Sequence, residues 1–280
     1  MMDRYTWWEK VILYIVIAIF LTFILLPFFE MFMTSLRPLK HLRHAPYKFW
    51  SDEMGFDAYK TMWTTVPDLP LYIFNGVFIA TVVTMVCMFF VIPAAYAYAR
   101  FDFKGKALTL GLFLSVNMFA GAVLLIPLYR LLRTLGLLNT YFAMIVPGAA
   151  FLVPMGIWLL KSYLEKIPKE LEEAAYVDGA SRFYTLRRVM LPLAMPGLIV
   201  VGVSVFIGAY AQQFLFAITF NQNRKYQPLP AGVFEFIGYQ DVVWNELMAA
   251  SLVGVLPVLF IFLFMQRFLI AGLTAGAIKE

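Results

Sequence analysis

From Val11 to Met33 the chain carries a single charged side chain, Glu30, and further long apolar runs recur along its length. Only a bilayer supplies a solvent for so much continuous apolar sequence. Composition agrees: 62% of residues are hydrophobic and 14% charged, with a mean hydropathy of +0.79. A soluble domain carries about 25% charged residues. A membrane-spanning helix needs about 20 apolar residues, so the chain has room for about six spans. They are expected near 11–33, 71–99, 107–129, 141–161, 193–220 and 249–270. Backbone groups in hydrocarbon must bond within their own segment, so the spans are helices. They are too apolar, and too free of alternating polar residues, for barrel strands. The expectation is an all-α integral membrane fold. It has an N-terminal span and outer loop (1–70), a core (71–270) containing a charged segment at 165–192, and a tail (271–280).

The net charge of +5 and pI near 9.2 are those of a polytopic membrane protein with basic loops, and no nucleic-acid partner is expected. Cys87 is the only cysteine, which excludes an intrachain disulfide or a cysteine metal cluster. It is expected to pack as a small hydrophobe. The N-terminal apolar run is too long for a signal peptide and ends in no small-residue cleavage pattern, so it reads as a retained span. With the N-terminus inside, 13 of the 22 Lys and Arg lie on the inner side and 9 on the outer, a modest bias. The first outer loop, 34–70, is itself basic. Within it FDAYKTMW (56–63) fits a short interfacial helix.

Residues 165–197 read EKIPKELEEAAYVDGASRFYTLRRVMLPLAMPG, a charged stretch that a protein would not need merely to sit in a bilayer. Pro168 suits the first turn of a helix. Glu170, Glu172 and Glu173 follow where carboxylates favour the positive end of the dipole. Leu171, Ala174 and Ala175 have i, i+3, i+4 spacing and would share a small apolar face. Gly179 permits a backbone turn that a Cβ would resist. A second amphipathic stretch would place Phe183, Leu186 and Met190 on one side and Arg182, Arg187 and Arg188 elsewhere. An anchor lying on the membrane surface would present large apolar residues, not alanines, to its contact.

Glu173-Ala174-Ala175, then Asp178-Gly179-Ala180, then Val189 and Leu191-Pro192 resemble the EAA signature of permease subunits in ATP-binding-cassette (ABC) importers. The spacing fills every fixed position of that pattern. The resemblance implies a type I importer permease fold in the bacterial cytoplasmic membrane, with the segment on the cytoplasmic side as the helix that docks into the ATPase. It also implies a second homologous permease, two ATPase subunits and an extracytoplasmic solute-binding protein as partners. ATP and Mg would sit on the ATPases, with no cofactor bound by this chain and no bond chemistry performed by it. Residues 124–141, 147–175, 247–268 and 272–280 resemble the shorter permease of maltose-type carbohydrate importers, which implies a sugar or oligosaccharide as cargo.

In the fifth span similar permeases commonly carry Trp-Asn-Glu where this chain has Ala211, Gln212 and Gln213. Gln212 and Gln213, with Tyr210 and Asn117, are the candidate substrate or pore residues. Each either lines the pathway or packs and bonds between helices. Asn75 stands near the outer end of its span, placed to cap or to meet solvent. The missing acidic residue and the basic first outer loop lean towards an anionic cargo such as a uronic-acid oligosaccharide, with glycerol phosphate as an alternative. Other signals are weak. His41 and His44 lack a third metal ligand, and Lys104-Gly105-Lys106 lacks the rest of a phosphate loop. The small pair Gly272 and Gly276 lies beyond the last span. An ion-coupled secondary transporter would need intramembrane carboxylates or broken-helix repeats, and no Asp or Glu falls inside an expected span away from its ends.

Overall fold

The computed structural model describes residues 6–43, 50, 53–115, 121–238 and 241–274, with side chains throughout except at 122 and 267–274. The first helices are α1 (Trp7–Leu36), α2 (Leu39–Arg43), α3 (Asp57–Thr65) and α4 (Leu69–Arg100). Then come α5 (Lys106–Ser115), α6 (Gly121–Thr134) and α7 (Phe142–Leu164). The charged segment holds α8 (Glu170–Val177), α9 (Arg182–Thr185), a π-helical turn (Leu186–Met190) and α10 (Leu191–Leu193). The chain continues through α11 (Met195–Phe220), α12 (Leu229–Gly232) and α13 (Trp244–Thr274). Among the described residues the strand-like pairing amounts to one isolated bridge, Ile237 with Val242.

Helices α1, α4, α7 and α11, and residues Trp244–Gln266 of α13, are long and apolar enough to cross a membrane. They match five of the six expected spans. The third, 107–129, is represented by two shorter helices, α5 and α6, on either side of residues 116–120. At about 1.5 Å per residue neither alone reaches across a hydrocarbon core of about 30 Å. Helix α1 starts four residues earlier than the apolar run because Glu9 accepts from both the N–H and the hydroxyl of Thr6, each at 2.7 Å. Prolines inside α1, α4, α6, α7 and α13 interrupt none of them, as is usual for helices in lipid.

The chain folds as two compact units, Met1–Leu69 with Val233–Val255 and Pro70–Gly232 with Leu256–Glu280. In the first, α3 forms where the interfacial helix is expected. It buries Ala58 and Met62 and leaves Phe56 and Trp63 exposed. The Tyr59 hydroxyl lies 2.8 Å from Ser35 Oγ, and Thr61 donates to Glu246 Oε1 at 2.7 Å, in the first turn of α13. The basic residues here are largely paired. Arg37, fully buried, meets Glu30 at 3.0 Å, Lys40 meets Glu53, and Arg43 meets Asp241 at 2.5 Å.

The second unit is built on α4, α7 and α11. Ile79, Val83, Cys87, Val91 and Ala95 recur every four residues along α4 and are buried, with Cys87 packed as a small hydrophobe. Helices this apolar have no polar face to mark their outside, so small residues mark the contacts. A Cβ on Gly156 would come 2.8 Å from Val91, and one on Gly208 would come 2.9 Å from Leu152. At Gly197, in the first turn of α11, the nearest Tyr163 ring atom would be 2.6 Å away.

A ring cannot retreat as a flexible chain end can, so Gly197→Val should force α7 and α11 apart. The expected cost is about 1–3 kcal/mol, read as a lowered unfolding temperature in detergent. Gly202→Ala, where a Cβ meets nothing within 4 Å, should leave that temperature unchanged.

Candidate functional site

The charged segment begins where α8 leaves its N-terminal turn with Glu170, Glu172 and Glu173 at the positive end of the helix. The three carboxylates part company at once. Glu173 is exposed, whereas Glu172 is turned inward and 5% exposed. One of its oxygens, Oε1, takes Arg100 Nε at the C-terminal end of α4, and both side chains of this pair are buried. The other, Oε2, accepts from the Tyr96 hydroxyl at 2.9 Å, and that hydroxyl lies 3.2 Å from the hydroxyl of Tyr176. Arg100 Nη2 donates to the Ile167 carbonyl at 2.8 Å. The Arg182 guanidinium stands 5.1 Å from the centroid of the Phe101 ring, just beyond α4. A buried ion pair of this kind is costly to split, because removing one partner strands the other at about 3–5 kcal/mol.

The opposite side of α8 is bare. Leu171 and Val177 are 44% and 87% exposed, and Ala174 and Asp178 are exposed beside them. The expected apolar face therefore shifts: Ala175 is partly turned inward, and Val177 takes its place beside Leu171 and Ala174. The helix ends as a glycine C-cap should. Gly179 has φ +81, its N–H bonds to the Tyr176 carbonyl at 3.0 Å, and Ala180 N–H bonds to the Ala175 carbonyl at 2.9 Å. Ser181 then caps α9 by accepting from the Tyr184 N–H at 3.3 Å.

Beyond α9 the backbone widens into the π turn, closed by a bond from the Leu191 N–H to the Leu186 carbonyl. The wider turn buries Thr185 and Met190, five residues apart, and leaves Leu186 half-buried. Phe183, expected on the buried side with them, is instead 72% exposed, next to Tyr184 at 56%. Leu191 and Pro192 form α10 and lead into α11. The segment thus presents Leu171, Ala174, Val177, Phe183 and Tyr184 as apolar surface left uncovered among the described residues.

The candidate pore residues separate in space. Gln213 is 2% exposed and donates through Nε2 to the Gly76 carbonyl at 2.8 Å, tying α11 to α4. Tyr210 is half-buried beside the same glycine and stacks on Phe206 at 6.3 Å. Gln212 is exposed and lines a cavity of about 380 Å³ with Phe151, Ala211, Phe214, Leu215 and Phe216. Asn117 lies outside the described residues. Asn75 neither caps nor meets solvent: it is fully buried, and Nδ2 donates to the carbonyls of Lys225 (3.0 Å) and Gln227 (2.9 Å). Its Oδ1 accepts from the Tyr141 hydroxyl at 2.8 Å. Asn139, with φ +58, holds the same loop by accepting from the N–H groups of Gln222 and Asn223.

Sequence reasoning missed Arg100, Tyr96 and Glu172. The available signals were the spare carboxylate one position before the motif, in i, i+4 register with Tyr176, and the arginine closing the second apolar run.

An all-helical membrane fold carrying such a segment defines a class of transport subunit, and comparison with known proteins places the chain within it. The family model for "Binding-protein-dependent transport system inner membrane component" matches residues 90–275. The "Inner membrane ABC transporter permease protein YcjP" of Escherichia coli K12 is 37% identical over 268 residues, 94% of each chain. The "Trehalose/maltose transport system permease protein MalG" of Thermococcus litoralis is 37% identical over 211 residues, 75% of this chain and 76% of that one. Among solved structures, a chain of a bacterial ABC transporter that imports the acidic polysaccharide alginate superposes with a TM-score of 0.72 at 21% identity. That match covers 94% of this chain and 98% of the other, and carries the fold. The chain belongs to the family of binding-protein-dependent transport system inner membrane components, as a permease subunit of an ABC importer and not an enzyme.

Asn75→Leu should free three partners at once and lower stability by about 1–3 kcal/mol, seen as a fall in detergent unfolding temperature. Gln212→Ala, at the exposed position, should leave it unchanged.

Proposed function

We propose that this chain forms half of the pore of an ATP-driven importer of a sugar or oligosaccharide. The observation that carries the reading is the uncovered apolar face of α8 and α9, broken at Gly179, within the EAA pattern. In this reading Glu173, Ala174, Ala175, Asp178, Gly179, Ala180, Leu191 and Pro192 form the element that engages an ATPase. ATP and Mg are bound by two such ATPases, and their closure displaces the segment. The N-terminus and the segment both face the cytoplasm. A second, homologous permease completes the pore, and an extracytoplasmic binding protein delivers the cargo. Gln212, on the cavity-lining side of α11, is the residue assigned to the pathway, and Gln213 is assigned to packing.

Sugar as cargo is supported by relatives named for trehalose/maltose and for sulfoquinovosyl glycerol, the latter an Agrobacterium fabrum permease 33% identical over 270 residues. An anionic cargo draws less support than the basic outer loop first suggests. Arg37, Lys40 and Arg43 are matched to carboxylates within the chain. Their field at a distance is correspondingly reduced.

The test is reconstitution with the cognate ATPase, second permease and binding protein in vesicles. ATP-dependent uptake of a neutral disaccharide and of a uronic-acid oligosaccharide is measured side by side. Uptake should require ATP and fall at least tenfold with Glu173→Lys or Gly179→Val, the latter facing a penalty of about 1–2 kcal/mol for a Cβ at positive φ. Uptake by this chain alone, driven by an ion gradient, would overturn the reading.

A further inference from the structure

A docking segment transmits displacement only to the spans it is fastened to. Segment 165–193 is fastened covalently to α7 at one end and to α11 at the other. Helix α4 is remote in sequence, and its attachment to α8 consists of side chains. That attachment is concentrated at one place. Both oxygens of the Glu172 carboxylate are used, one by Arg100 and one by Tyr96, and Arg100 reaches on to the Ile167 carbonyl. The carboxylate and guanidinium are 6% and 5% exposed in the isolated chain, so their burial needs no partner subunit. The bare face of α8 lies on its other side, so the linkage and the uncovered surface do not compete for the same residues.

We infer that Glu172, Arg100 and Tyr96 are positioning residues that make α8 and the C-terminal end of α4 move as one body, so that displacement of the segment is delivered to α4 directly. The inference rests on the permease reading given above. A charged pair suits this role better than apolar packing does. Two buried charges cannot slide past each other in small steps without losing their partners, whereas apolar side chains can repack. Residues Ile167 and Arg182, on either side of α8, add contacts to Arg100 and Phe101 and restrain rotation about the pair.

The experiment compares the reconstituted importer with three variants: Glu172→Gln, Tyr96→Phe, and the double replacement Arg100→Met with Glu172→Met. The double variant exchanges the pair for apolar side chains of similar length, a change that buried pairs often tolerate without loss of stability. The measurements are assembly with the ATPase, ATP hydrolysis, and sugar taken up per ATP hydrolysed. The double variant should assemble and hydrolyse ATP at close to the normal rate while its sugar-to-ATP ratio falls at least fivefold. Glu172→Gln should fall similarly and Tyr96→Phe by about half. A ratio unchanged in the double variant overturns the inference, as do uptake and hydrolysis that decline in parallel. Failure of both Glu172 variants to assemble also overturns it, since the pair would then only hold the fold. Absence of ATP-driven uptake by the unmodified complex is a separate result: it removes the permease reading itself, and this inference with it.

Discussion

Hydrocarbon offers a backbone no hydrogen-bonding partner, and the rest of this structure follows from that constraint. Each long segment satisfies its own peptide groups as a helix, which leaves few polar means of joining one helix to another. Those few stand out against an otherwise apolar interior. Gln213 reaches a glycine carbonyl across α11 and α4, Asn75 reaches two loop carbonyls, and Glu172 reaches Arg100 and Tyr96. Along the spans themselves, α4, α7 and α11 meet largely by close approach at small residues such as Gly156, Gly197 and Gly208, where dispersion over short distances does what exclusion of water does in a soluble core.

The expected elements that proved legible share a physical cause. Long apolar runs can be read because lipid demands length, and five of them appear as continuous helices. The break in the charged segment can be read because a glycine at φ +81 meets little competition from other residue types. What escaped reading depends on tertiary placement. Three glutamates within one turn look equivalent until Arg100 selects Glu172. Gln212 and Gln213 point about 100° apart, so one meets a cavity and the other a neighbouring helix, and helices apolar all round give no stripe from which to tell them apart. The π turn was invisible for a related reason: its five-residue spacing of Thr185 and Met190 resembles an imperfect α-helical face.

Segment 165–193 therefore has two sides with different chemistry. One is polar, buried and committed to α4; the other is apolar and uncovered. The EAA pattern weights Glu173, on the outer side, while the fastening falls to Glu172 one position earlier. Adjacent positions on one helix thus face different environments, and two neighbouring glutamates serve different surfaces.

The loop that Asn75 and Asn139 hold carries a consequence of another sort. Residues 222–227 follow α11 with a single 3-10 turn (Arg224–Tyr226) as their regular structure, and side-chain amides fix the backbone at four points. Most connecting loops lose conformational freedom when a second molecule settles on them, and that loss subtracts from affinity. Here the freedom has already been given up during folding. A molecule arriving at this end of α11 meets a surface whose shape is set in advance, so little of its affinity is lost to ordering the loop.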